Sequence, residues 1–191
     1  MNSIICEKSC KDIILKSKFY SYIFNCENIK RQTEILKNLR AENLSCSHIC
    51  FAGVFENEQY SSDDGEPSGT AGIMILSALK ENDVINALCV VVRYFGGVKL
   101  GVSKLGKVYK SCAKMCLADN IKKVNKHILF FGKCNYNTFD EVKNFLQKNM
   151  INLENVKFES EVEFGVFLSE NEKILLEEIT PLISKQISKI Y

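Results

Sequence analysis

DDGEPSGTAGIMILSALKENDVINALCVVVRYFGGVKLG, residues 63–101, decides how this chain is read. It opens on an acidic turn with signals at Asp64-Gly65 and Pro67-Ser68-Gly69. A helix is expected over 71–81, with Ser68 or Thr70 as its N-cap. ALCVVVRYF (87–95) is a short β-branched run, the pattern of a buried strand, and Gly96-Gly97 breaks it. A polar turn, a helix, a buried strand and a second glycine turn in under forty residues indicate a mixed α and β fold. Glycines permit positive φ, and successive turn amides form anion-binding concavities, so this stretch is also the candidate working surface.

Outward from it, 13–24 (IILKSKFYSYIF) reads as strand, 30–43 as a helix with Ile35, Leu36 and Leu39 on one face, and 47–55 as strand. Beyond Gly101, residues 102–118 form a long amphipathic helix. At about 100° per residue, Leu105, Val108, Cys112, Met115 and Cys116 fall within an arc of about 100°. Lys104, Lys107, Lys110 and Lys114 occupy an arc of about 120° on the other side. That ridge is either a solvated helix face or a track for phosphates.

NIKKVNK (120–126) is polar and reads as a linker. After it come a strand at 127–135, a helix at 137–149, strands at 156–160 and 162–168, a helix at 171–184 and a strand at 186–190. This β-α-β-β-α-β order is that of a ferredoxin-like domain. The expected architecture is therefore α+β in two domains, 1–124 and 125–191.

Composition narrows the function. The chain of 191 residues is 46% hydrophobic, ordinary for a globular protein. No apolar run approaches the ~20 residues of a membrane span, and no signal-peptide pattern is present, so a cytoplasmic location is expected. The net charge of +2 is unevenly spread. Residues 1–124 hold 17 Lys and Arg against 13 Asp and Glu, and residues 125–191 hold 8 against 10. Any anion-binding surface belongs to the first part. Nine cysteines, an odd number in a chain this long, are expected as free thiols. Cys46-Ser47-His48-Ile49-Cys50 has a metal-like composition, but on a strand its cysteines would lie about 13 Å apart. Zn–S bonds of about 2.3 Å cannot bridge that distance.

Two charged groups remain open to two readings each. Asp63, Asp64 and Glu66 form either a Mg²⁺ site or a local turn whose acids favour a helix N-terminus. Arg93 and Lys99, flanking Phe95-Gly96-Gly97, are either donors to a phosphate or partners in an internal salt bridge, such as Arg93 with Asp63 or Asp64. His48 and His127 stand beside no nucleophile motif, and GGVKLG has neither P-loop nor dinucleotide spacing.

The blocks DDGEPSGTAG (63–72) and RYFGGVKLG (93–101), followed by Leu105 and Tyr109, resemble the YigZ/IMPACT family. Lys16-Ser17-Lys18-Phe19 and the segment from Ser47-His48 to Ala52 are similar to its earlier blocks. The resemblance implies a first domain shaped like the second domain of a small-subunit ribosomal protein, an α/β two-layer fold. It also implies a small C-terminal domain related to one in elongation factor G. It implies a link to translation, with RNA or the ribosome as partner. An enzymatic activity is attached to some relatives, but no agreed active site is transferred, and the expected role is that of a non-enzymatic binding protein. Where the family continues x-G-G-L-x-R-A-Y, this chain has Val102-Ser103-Lys104-Leu105-Gly106-Lys107-Val108-Tyr109. Ser103 and Lys104 restrict backbone approach, and Lys107 cannot form a bidentate fork as arginine does. Met74 stands where a proline is usual.

The expected contact surface thus comprises Arg93, Gly96, Gly97, Lys99, Lys104 and Lys107 with Ser68 and Thr70, and needs no cofactor. The alternatives are a metal-dependent hydrolase or phosphate-handling enzyme built on Asp63, Asp64 and Glu66, and a protein-interaction module on the C-terminal sheet.

Overall fold

The computed structural model describes residues 1–56, 58–124, 127–169, 172–175 and 185–190, and its chain divides into two compact units, Met1–Val124 and Asn125–Tyr191. In the first, five antiparallel strands form one sheet in the order β2-β3-β6-β4-β5. They are β2 (Lys8–Ile14), β3 (Ser17–Asn25), β4 (His48–Val54), β5 (Gln59–Ser62) and β6 (Ala87–Tyr94). The expected strand at 13–24 is in fact the end of one strand, a turn and most of the next. Leu15 and Lys16 make that turn at positive φ without a glycine.

Central β6 explains its own unbroken apolar run. Ala87, Cys89 and Val91 enter the core beneath helices α2 (Gly72–Glu81) and α3 (Val102–Leu117). Leu88, Val90 and Val92 enter a second cluster on the opposite face, where α1 (Ile29–Glu42) contributes Ile35 and Leu39. A strand buried on both faces has no polar alternation to show. Helix α3 buries Leu105, Val108, Cys112 and Cys116 of the stripe expected from its periodicity, together with Tyr109, while Met115 of that stripe is half-buried.

The polar stretch after α3 is more than a linker. Ile121–Lys123 forms β7, which pairs antiparallel with an N-terminal strand, β1 (Asn2–Ile4), in the register Asn2↔Lys123. Neither strand has the length or the apolar alternation that would announce it.

The second unit contains β8 (His127–Cys134), α4 (Tyr136–Lys148), β9 (Leu153–Phe158), β10 (Val162–Ser169) and β11 (Lys185–Ile190). Its antiparallel sheet runs β11-β8-β10-β9. Asn135 caps α4 by accepting from the Thr138 amide. Phe139, Val142 and Leu146 pack on Phe130, Phe164 and Val166. Of the helix expected at 171–184, Glu172–Leu175 is a 3-10 turn, and 171 and 176–184 lie outside the described residues. Among the described residues no helix is long and apolar enough to cross a membrane.

Candidate anion-binding site

The DDGE turn holds the protein's own donors. Asp63 leaves β5 with its carboxylate over the start of α2, where it accepts from the amides of Gly69, Ala71 and Gly72, each at 2.8 Å. Burial pushes its pKa up, but these three amides outweigh burial and hold the carboxyl below its ordinary value. The expected caps are thereby corrected. Ala71 is the N-cap residue and makes no side-chain bond, Thr70 is buried with its hydroxyl donating to the Pro67 carbonyl, and Ser68 is exposed. A carboxylate from eight residues upstream does what Ser68 or Thr70 would have done.

Asp64, at φ 43°, turns the other way. One of its oxygens lies 2.7 Å from Arg40 and the other accepts from the Ile49 amide at 2.6 Å. Its carbonyl accepts from Nδ1 of His48 at 2.8 Å. Glu66 is then carried inward. Its Oε1 accepts from Arg93 at 2.5 Å and from the Tyr109 hydroxyl at 2.7 Å. Its Oε2 stands 3.8 Å from Nε2 of His48. The acidic and basic blocks therefore meet, and the partner of Arg93 is Glu66 in place of the expected Asp63 or Asp64, whose oxygens are already engaged.

Three carboxylates bonded to separate donors do not converge on one point. Among the described residues no group of three or more His, Cys, Asp or Glu side chains is placed to hold a metal ion. Cys46 packs on the α1 side of the sheet and Cys50 in the core under α2 and α3, so their spacing reflects opposite faces. Burial pushes the Cys50 thiol up to about 12.

Arg93 is almost fully buried, with its guanidinium 5.4 Å from the rings of both Phe19 and Phe95. It lies on the floor of a pocket of about 420 Å³, alongside Glu66 and His48. Pro67, Phe95, Leu100 and Val102 form the walls, and Lys99 and Gly101 complete the rim. Of the two turn glycines, Gly96 is structural. A Cβ there would meet the backbone of Lys16 at 2.0 Å, and its amide donates to the Ser17 hydroxyl. Gly97, at φ 84°, faces open space.

The N-terminal end of α3 opens at the same rim. Gly101, at φ 79°, provides no side-chain cap, and the first-turn amides of any helix lack intrahelical acceptors. Exposed Lys99, Lys104 and Lys107 stand beside this positive end. Among the described residues none of the three makes an ion pair. The other half of the Lys ridge is engaged: Lys110 and Lys114 both bind Glu81, whose pKa falls to about 2 mainly through the Lys110 bond. Lys104 and Lys107 thus share a surface with Leu100, Gly101 and Val102, and Lys99 shares the pocket with Pro67, while the carboxylates of Asp63 and Asp64 are taken up by other donors. Sequence reasoning did not find the roles of Tyr109, Arg40 and Phe95. Tyr109 carried a signal, a tyrosine on the apolar side of an amphipathic helix, which needs a buried acceptor.

These residues fall inside a recognised sequence unit. The Impact N-terminal domain family matches residues 15–117, more than half of the chain. The chain belongs to the IMPACT family. The IMPACT family member YvyE of Bacillus subtilis is 30% identical over 165 residues, which is 84% of this chain and 76% of that protein. An IMPACT family member of Haemophilus influenzae is 30% identical over 164 residues, covering 82% of this chain and 79% of its own. A crystal structure of a hypothetical protein aligns over 97% of this chain and 95% of its own, with a TM-score of 0.66 at 23% identity, so the two share a fold. The turn bearing Glu66, the Arg93 strand and the start of α3 all lie within the IMPACT match.

Proposed function

We propose that this IMPACT family member is a translation-associated binding protein that grips phosphates of RNA or of the ribosome at the N-terminal end of α3. One observation carries the reading: α3 begins without a side-chain cap, beside three exposed lysines that have no acidic partner among the described residues. Helix N-termini favour anions through their free amides and dipole, and cations placed nearby add to that attraction. Family membership supports the link to translation. Arg93 and Glu66 serve as the floor that positions the glycine turn, and Lys99, Lys104 and Lys107 make the contacts.

The reading is tested by binding to purified ribosomes and to short RNA across a salt series. Affinity should fall steeply with salt for the wild type. Alanine at Lys99, Lys104 and Lys107 together should flatten the slope of log K against log salt by about 2. Salt-insensitive binding, or an unchanged slope in the triple variant, rejects the site.

A further inference from the structure

The face of the five-stranded sheet that carries α1 is only partly covered. α1 lays Ile35 and Leu39 over a cluster containing Ile49, Val90 and Val92, which belong to β4 and β6. β3, next to β6, buries Phe19, Ser21 and Ile23 on the other side of the sheet and turns Lys18, Tyr20, Tyr22 and Phe24 towards this one. Register adds Lys11 of β2 directly across from Tyr20, and Tyr94 of β6 directly across from Lys18.

The rings are ordered among themselves. Tyr20 and Tyr94 meet edge to face at 5.8 Å, and Tyr22 lies parallel to Phe24 at 6.2 Å. Lys11 Nζ stands 5.4 Å above the Tyr20 ring. The Tyr94 hydroxyl donates to Asn43, at the end of α1, at 2.8 Å. Lys18, Tyr20, Tyr22, Asn43 and Tyr94 enclose a groove of about 160 Å³. A solvated sheet face is usually built from small polar and charged side chains. Here partly buried tyrosines are bordered by exposed Lys11, Lys16 and Lys18, which make no ion pair among the described residues.

We infer that this groove is a base-stacking platform for single-stranded RNA on the sheet face opposite the phosphate site proposed above, on which the inference rests. Aromatic rings on a sheet bordered by cations suit unpaired bases, since a base offers a π-face to the ring while its phosphate meets the lysine. Charge selects the occupant, because the rim is basic and RNA is a polyanion. Arg93 and Tyr94 are neighbours on β6 and point to opposite faces of the sheet, so the groove and the phosphate site approach each other at the end of the sheet, where Gly96 packs on the backbone of Lys16 and Ser17.

The chain has no tryptophan, so its intrinsic fluorescence reports tyrosine. The full chain is titrated with a short oligouridylate and with an RNA duplex of the same length. The single strand should bind more tightly and quench the emission. A Tyr20→Leu/Tyr22→Leu variant keeps apolar bulk under the groove; it should lose the quench and bind at least about fivefold more weakly, with its salt slope intact. The matching Tyr→Phe pair should retain the affinity and the thermal stability, which separates loss of stacking from misfolding. Alanine at Lys99, Lys104 and Lys107 should flatten the slope yet still quench at saturation. Binding without quench, or equal affinity for the duplex and an unaffected leucine variant, overturns the platform and leaves the phosphate site standing. No binding of either RNA by the folded wild type overturns the platform, and no binding to ribosomes as well overturns the phosphate site with it. A wild type that dimerises in sedimentation, with a monomeric leucine variant of unchanged RNA affinity, assigns the face to a second copy of the chain and overturns the inference.

Discussion

Arg93 and Glu66 form an ion pair whose two side chains are each about 95% buried, and burial decides what the pair does. Removing two charges from water is costly, and their mutual attraction offsets that cost only while both are present. Arg93→Met should therefore lower stability by about 3–5 kcal/mol, because it strands the Glu66 carboxylate. The double change Arg93→Met/Glu66→Leu should recover much of the loss, and urea denaturation of the three proteins checks both. An Arg93→Met variant as stable as the wild type would remove the pair from the architecture. The sequence made an internal pair plausible but not its membership. Asp63, Asp64 and Glu66 are equivalent as charges, and the positive φ angles at Asp64 and Gly65 decide which one turns inward. The third partner, Tyr109, is held there by the path of a helix that starts well after the turn.

The two helices at the sheet's main core begin in opposite ways. α2 has its first amides taken by Asp63, whereas α3 presents its own to the rim. Loss of the Asp63 cap should cost about 1–2 kcal/mol at neutral pH. Because the folded-state pKa of Asp63 is lowered, its charge-linked contribution is fully present above the unfolded carboxylate value and is lost as pH falls through the folded one. The stability gap between wild type and Asp63→Ala should therefore hold near pH 7 and narrow below about pH 4. A gap that widened on acidification would assign the cap to another group. At this scale the sequence was legible where periodicity was long, as in α1, α3 and α4, and where an apolar run was unbroken, as in β6. It was silent at the β2–β3 turn, since exposed Leu15 and Lys16 adopt positive φ and carry no turn signature. The N-cap of α2 was misread for a related reason: a cap drawn from outside the local turn leaves no local pattern.

Two units with separate hydrophobic clusters should also be separable by unfolding. The thiols report this without added labels. Cys6 is exposed, whereas Cys50, Cys89, Cys112 and Cys116, like Cys26, are buried in the first unit and Cys134 in the second. Burial raises the pKa of each of these six. Alkylation near neutral pH should modify Cys6 at once, Cys134 at the denaturant midpoint of its own unit, and the five buried thiols of the first unit together at a different midpoint. Coincident curves would show one cooperative transition. The division itself was visible as a change of pattern near residue 125, but the polar run preceding it concealed β7, because three residues are too few to alternate. That small strand has a mechanical consequence. With Asn2 opposite Lys123 and the Met1 carbonyl bonded to the Val124 amide, the two ends of the first unit leave side by side from one antiparallel seam. Tension applied between them meets the hydrogen bonds one at a time, as in a zipper. The seam yields at low force, and the load passes next to the bonds that tie Asn2 to Asp83 and Ile85.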